Sequence, residues 1–325
     1  MYHTIISIAN LCSAWEEFVS GKMSKKDVAE FSLHFSQNIF KLHEELKNKT
    51  YYHAGYTAFS INDPKPRNIH KSTVRDRLMH HAIYAVLYPF FDQKFIYDSY
   101  SCRNMKGTHR TLNRFKLFSM KVSRNNHRTC LILKCDIRKF FASIDQKILI
   151  EIVQRHISEP DVIGLIQNVV SSFHSTSQGK GLPLGNLTSQ LLVNIYMNEF
   201  DQYMKHELKV KYYIRYADDF VIMSEDKEYL QNTLRVIGEY LGAKLKLSLH
   251  PDKVFIKPLA SGVDFLGWVH FPHHPVLRTS TKKRMIRNLV GIPKPARIAS
   301  YKGMLRHGNT FKLQQKLFKY DTVVK

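Results

Sequence analysis

Three aspartates are the residues whose type and spacing could carry chemistry in this 325-residue chain. Asp218 and Asp219 stand side by side in Tyr212–Met223 (YYIRYADDFVIM), between two short apolar arms. Such arms predict strands, and a tight turn between them holds both carboxylates at the exposed tip of a hairpin. Taken alone, the pair fits an ordinary solvated turn equally well. Asp136 changes the balance. Leu131, Leu133 and Cys135 alternate with Ile132, Lys134 and Asp136, as in a half-buried strand, so Asp136 ends that strand on the face opposite Leu133. Phosphoryl transfer to a hydroxyl uses two divalent ions about 4 Å apart, one activating the attacking oxygen and one neutralising the leaving group. Mg²⁺ takes hard oxygen ligands and keeps part of its water, so a few carboxylates on adjacent strand ends suffice when phosphates supply the rest. Asp136 and Asp218 would bridge two Mg²⁺ ions with Asp219 beside them, and Mn²⁺ could substitute. Three acids converging without basic partners repel one another, which favours a metal site over a structural cluster.

The elements that must position these acids can be read in order. Residues 1–50 are helical, with Val28, Phe31, Phe35, Ile39, Phe40 and Leu42 at helical spacing. Asp63–Arg67 (DPKPR) is extended, because each proline disfavours helix in the residue before it. Helices follow over Asp76–Phe90 and from Gly107–Thr108 toward Phe118. After the Asp136 strand come a helical segment over Asp145–Val170, a turn at Gly179–Gly185 and a helix over Ser189–Leu208. The acidic hairpin precedes a helix over Glu228–Leu241, a short strand around Leu245–Leu249 and a hairpin over Val254–Val269. The last 45 or so residues are basic and partly helical, interrupted at Pro293–Pro295. This mixed order predicts an α+β fold, an antiparallel sheet flanked by helices, rather than a regularly alternating parallel sheet.

The surface is strongly basic: 49 Lys and Arg face 27 Asp and Glu, a formal charge of +22. The basic residues recur along the whole chain, which points to a folded surface that holds a polyanion rather than to a basic tail. Cys12, Cys102, Cys130 and Cys135 show no ligand-like spacing and are expected as free thiols in a reducing compartment. The 17 histidines include no HExxH pattern. Met1–Trp15 lacks the features of an export leader, and no apolar run reaches the roughly 18 residues of a membrane span. A cytoplasmic protein is expected, with no membrane partner.

Asp136 in LKCDIRKFF, Tyr216–Asp219 (YADD) and the intervening GLPLGNLTSQ resemble the palm motifs of reverse transcriptases, in the family's order. Lys65–Ile83 resembles the fingers segment, His250–Lys253 (HPDK) the lysine-bearing motif, and Phe265–Trp268 (FLGW) the primer grip. The likeness runs from about residue 55 to 270. It implies a right-hand polymerase fold with an N-terminal helical region (1–50), fingers and palm (51–270) and a short basic helical thumb (271–325). It implies metal binding by Asp136, Asp218 and Asp219, and a sugar gate at Phe141. Lys65, Arg67 and Arg75 correspond to basic positions on the triphosphate, with template backbone as the other option for each. Lys253 would act near the leaving pyrophosphate, and Gly267 and Trp268 would position the primer end. The implied partners are template RNA, the RNA/DNA hybrid and dNTPs.

Leu184–Gln190 (LGNLTSQ) departs from the QGxxxSP usual in intron and retron enzymes, with Leu184 for glutamine and Gln190 for proline. With Gly185 between them, these positions would lie at the nascent base pair. The segment and the compact length resemble reverse transcriptases of diversity-generating retroelements. That resemblance implies cDNA synthesis with frequent errors opposite adenine, and a small basic accessory protein. The alternatives are an intron- or retron-type enzyme of ordinary fidelity, a defence-associated polymerase, and an RNA-binding module without catalysis. No ribonuclease H, integrase or maturase-like extension is expected after the FLGW motif.

Overall fold

The computed structural model describes residues 1–62, 66–290 and 295–318. Four helices open the chain: α1 (Tyr2–Ile6), α2 (Ile8–Val19), α3 (Lys26–Leu33) and α4 (Phe35–Lys47). A hairpin follows, β1 (Thr57–Ile61) with β2 (Arg67–Lys71), then α5 (Val74–Asp92) and α6 (Thr108–Val122). The central part comprises β3 (Leu131–Asp136), α7 (Phe140–Ser143), α8 (Gln146–His156), α9 (Pro160–Ser171) and α10 (Leu187–Gln202). Next come β4 (Tyr213–Tyr216), β5 (Asp219–Ser224), α11 (Lys227–Leu245) and β6 (Phe255–Pro258). A second small sheet, β7 (Val263–Phe265), β8 (Trp268–His270) and β9 (Pro275–Leu277), leads into α12 (Thr279–Asn288), α13 (Pro295–Leu305) and α14 (Phe311–Phe318).

The central sheet is antiparallel in the order β4-β5-β3-β6. Its inner strands are largely apolar, Leu133, Cys135, Phe220 and Ile222 being fully enclosed, because helices pack on the sheet, while Lys134, Asp136 and Asp219 are their charged residues. One continuous apolar cluster runs from Tyr2 and Trp15 through α5, α8, α9 and α10 to Leu247. The N-terminal helices therefore share a core with α5 and the sheet, and no break in packing falls at residue 50. A second cluster on the other side of the sheet joins α6 to β7, and a third, around Trp268, joins α6 to α12 and α13.

The mixed α+β architecture is as expected, and the differences have local causes. The 145–170 helix is two helices, since Pro160 occupies the first turn of α9 and starts a new one. The 189–208 helix begins at Leu187 and passes into a π-helical turn over Tyr203–Glu207. Helix α11 continues to Leu245, so the strand expected around 245–249 reduces to one bridge between Leu249 and Ile137. The hairpin expected over 254–269 is divided: β6 joins the central sheet on β3, while β7 and β8 pair with each other in the small sheet. The segment expected to be extended, DPKPR, falls between β1 and β2, which pair as a hairpin, and its Arg67 is the first residue of β2; Asp63, Pro64 and Lys65 lie outside the described residues.

Candidate active site

Asp136 and Asp219 are cross-strand partners at the end of the β3–β5 ladder. Tyr216 pairs with Asp219 to close the β4–β5 hairpin, which leaves Ala217 and Asp218 as a two-residue turn. Ala217 has φ +56° and Asp218 does not share the positive φ, the pattern of a type II′ turn, whose twist matches that of the strands it joins. The Ile137 amide donates to the Asp218 carbonyl at 3.2 Å and fixes the turn against the start of the loop after β3. The backbone thus brings all three acids to one end of adjacent strands. Burial pushes Asp218 up to about 6, with the charges of Asp219 and Asp136 adding to it. Asp219 is also raised, by burial first and then by Asp136, against the pull of Lys134.

The acids do have basic partners, contrary to the expectation from sequence. Lys253 Nζ donates to Asp136 Oδ1 at 2.8 Å, and Lys134 Nζ lies 3.2 Å from Asp219 Oδ1. The second contact is an ion pair without hydrogen-bond geometry, since Asp219 Oδ1 finds no hydrogen-bond partner. With two carboxylates turned to lysines, no three His, Cys, Asp or Glu side chains among the described residues converge to hold an ion as they stand. The donor chemistry nevertheless fits a divalent cation of the Mg²⁺ class: three carboxylates at one end of adjacent strands, two of them held at raised pKa partly by their neighbours' charge.

Beneath the acidic turn lies a buried ion pair that the sequence did not announce. Arg215 and Asp201 are both wholly enclosed, with Nη2 to Oδ2 at 2.6 Å and Nε to Oδ1 at 2.8 Å. Tyr213 donates its hydroxyl to the same carboxylate at 2.7 Å, and Arg215 also donates to Ser99 Oγ at 3.0 Å. An arginine in the middle of an apolar strand is a signal in itself, because a buried charge needs a partner. Nothing in the spacing identified Asp201 as that partner.

The 184–190 segment is tied to the β1–β2 hairpin. The His70 amide donates to the Leu184 carbonyl at 3.0 Å, Asn186 Nδ2 donates to the His70 carbonyl, and Ser72 donates to Asn186 Oδ1. Gly185 has φ +105°, and a Cβ there would lie 2.9 Å from Ile69 Cγ2, so glycine is required twice over. Gln190, on the first turn of α10, lines a cleft of about 380 Å³ together with Ile69, His70, Lys71 and Gly185. Phe141 is half-buried on α7, and its carbonyl accepts from the Leu182 amide at 2.8 Å, which ties α7 to the same loop. Arg67 is exposed at the start of β2, and Lys65 lies outside the described residues. Arg75 is engaged elsewhere: it pairs with Glu45, donates to the Tyr52 carbonyl and stacks on Tyr51, bracing α5 against the N-terminal region. Leu266 (φ +51°) and Gly267 (φ +87°) form the two-residue turn of the β7–β8 hairpin, a type I′ pattern. Trp268 is 3% exposed and packs among Leu112, Leu277, Met285 and Leu305.

A polar chain buried beneath α10 was also missed from sequence. His53 Nδ1 donates to the Ala54 carbonyl, which leaves its Nε2 as an acceptor. His80 Nε2–H then donates to His53 Nε2 at 3.2 Å, and the Thr188 hydroxyl donates to His80 Nδ1 at 2.7 Å. Every proton in the chain is assigned by the carbonyl at its end. His80 is pushed down to about 3, chiefly by burial, so it remains neutral and able to accept from Thr188.

Comparison with known proteins follows the same lines. Residues 61–270 match the family model described as reverse transcriptase (RNA-dependent DNA polymerase). The chain is 25% identical to Protein YkfC of Escherichia coli over 259 residues, covering 68% of this chain and 66% of that protein. It is 23% identical to the group II intron-encoded protein LtrA of Lactococcus lactis subsp. cremoris over 307 residues, covering 71% of this chain and 49% of that protein. The chain thus spans about half to two thirds of the length of these relatives. Among solved structures, apo telomerase from Candida tropicalis superposes with TM-score 0.53 at 11% identity, covering 75% of this chain and 60% of that one. Telomerase from Candida albicans, in complex with a fragment of telomeric RNA, gives TM-score 0.53 at 11% identity, covering 84% and 56%. At such identity these likenesses show a shared fold. The family model covers well over half of the chain and spans both the Asp136 strand and the acidic hairpin: the chain belongs to the reverse transcriptase (RNA-dependent DNA polymerase) family.

Proposed function

We propose that the protein is an RNA-directed DNA polymerase that extends a primer on template RNA with dNTPs. The observation that carries this is the placement of Asp136, Asp218 and Asp219 on adjacent strand ends within the region that matches the family. Asp136 and Asp218 would hold two Mg²⁺ ions, or Mn²⁺ in their place, with Asp219 beside them. Such ions supply an activated attacking hydroxyl and neutralise the leaving pyrophosphate. Lys253, released from Asp136, is then free to face the leaving group. Phe141 would lie under the incoming sugar, Arg67 and Lys65 on the triphosphate or template, and Leu184, Gly185 and Gln190 at the nascent pair. Gly267 would meet the primer end, with Trp268 anchoring its turn from within the core. In this scheme residues 51–270 serve as fingers and palm, 271–325 as thumb, and 1–50 as a helical brace. No helix among the described residues is long and apolar enough to cross a membrane, and a cytoplasmic site of action is proposed. The test is primer extension on RNA with Mg²⁺ and dNTPs. The paired change Asp218→Ala with Asp219→Ala should abolish it, and extension that survives the change would refute the assignment.

The finer proposal is a retroelement enzyme that copies adenines inaccurately to diversify a target gene, aided by a small basic accessory protein. Leu184 supports it. An apolar side chain at this position cannot give the hydrogen-bonded discrimination that a glutamine amide can. Sequencing cDNA made by the wild type and by Leu184→Gln should show frequent errors opposite adenine that the variant suppresses. Faithful copying of adenine by the wild type would instead favour an intron- or retron-type enzyme.

A further inference from the structure

A histidine-rimmed cleft of about 140 Å³ opens between α6, the β8–β9 hairpin and the segment joining α13 to α14. Phe115 and His270 are buried in its lining, His270 only 6% exposed. His109 and His307 form one wall, their rings stacked at 3.6 Å between centroids and 24° apart. His274, stacked on Phe271, and Lys116 complete the rim. The orphan is His270 Nε2, which has no hydrogen-bond partner although it is buried. Its other nitrogen bonds the Phe265 backbone, and burial pushes its pKa down to about 4. The ring is therefore neutral at pH 7, with Nδ1–H donating to the Phe265 carbonyl and a bare lone pair on Nε2. A buried acceptor left without a donor costs on the order of a full desolvation penalty unless a ligand supplies one.

A metal does not suit the cleft, because no three histidines among the described residues converge on a point. The volume is close to that of a cavity that takes a single six-membered ring, about 150 Å³. Flat aromatic walls, one buried acceptor and a lysine on the rim are the features by which single-stranded RNA bases are held. We infer that this cleft seats one unpaired nucleobase of the bound RNA, stacked against the His109–His307 wall with a base N–H donating to His270 Nε2. The site is apart from the three acids, and it rests on the proposed function only in taking the polyanion to be RNA.

The test is fluorescence anisotropy of the full chain with short labelled single-stranded RNA, and with the same backbone made abasic. His270→Phe keeps an aromatic ring and removes the acceptor, and should weaken binding of base-bearing RNA about tenfold, the weight of one stacked base. His109→Ala, on the exposed wall, should do the same and stands in if His270→Phe loses its cooperative melt. Neither change should slow extension of a pre-annealed primer–template at saturating concentration. Equal binding by wild type and variants, or equal binding of abasic RNA, overturns the inference. If the base-dependent loss is seen but the wild type extends no primer, the cleft stands and the polymerase reading falls.

Discussion

Arg215 donates from Nη1 to the Ala217 carbonyl at 3.1 Å, so the buried guanidinium that neutralises Asp201 also holds the turn that presents Asp218. Ala217 sits in the left-handed region, which disfavours a residue with a Cβ by roughly 1–2 kcal/mol. That conformation persists because the strands and the arginine over-determine it. Removing the guanidinium strands the Asp201 carboxylate in the core. Arg215→Met is expected to cost about 3–5 kcal/mol in urea unfolding. Adding Asp201→Leu should restore much of that stability without restoring activity, because the turn remains unbraced.

The placement of the three acids was legible from the sequence, while their electrostatics were not. Asp136 and Asp218–Asp219 could be placed on strand ends because apolar alternation fixes which residues a strand exposes. Lys134 and Lys253 were visible too, but a sequence does not say that a lysine two residues before Asp136 faces Asp219 across the sheet. The β1–β2 hairpin was hidden for a related reason: its strands are short and largely exposed, so no buried face imprinted a period on them. The fusion of the N-terminal helices into the main core, and the His53–His80–Thr188 chain, depend on contacts between residues far apart in sequence.

The raised pKa of Asp218 makes a prediction with a definite sign. A carboxyl whose folded pKa is raised to about 6 contributes stability below its ordinary pKa, roughly 4, and loses it as pH rises through 6. Asn resembles the protonated form. Asp218→Asn should therefore melt above wild type at pH 7–8, by about 1 kcal/mol after allowance for solvent screening, and the gap should close below about pH 4. Mg²⁺ should raise the melting temperature of wild type more than that of the variant. Extension should be lost in Asp218→Asn throughout.

The histidine chain predicts acid sensitivity of the opposite sense. His80 is held at about 3 in the folded protein, below its ordinary value of about 6.5, so the unfolded chain binds the extra proton between those values. Stability should fall as pH drops below about 6.5, with His80 contributing on the order of 2 kcal/mol of that loss by pH 5. In His80→Asn the amide oxygen can still accept from Thr188 and nothing titrates. Its pH–stability profile should be flatter between 5 and 7, which circular dichroism melts across that range would show.

Gly308 links the basic C-terminal helices to the β7–β8 turn through Trp268. A Cβ built on Gly308 would overlap the six-membered ring of Trp268, and that indole is enclosed by Leu112, Leu277, Met285 and Leu305, so it has nowhere to retreat. Gly308→Ala should therefore cost about 1–3 kcal/mol by overpacking. It should also disturb the Leu266–Gly267 turn, which Trp268 anchors as the first residue of β8. Gly303 provides the control: it lies within α13 with open space where a methyl group would project, so Gly303→Ala should stabilise by about 0.5–1 kcal/mol. On a long RNA template, Gly308→Ala should yield shorter products than wild type while single-nucleotide addition is less affected, and Gly303→Ala should match wild type. Equal product lengths for all three would separate Trp268 from any part in holding the primer.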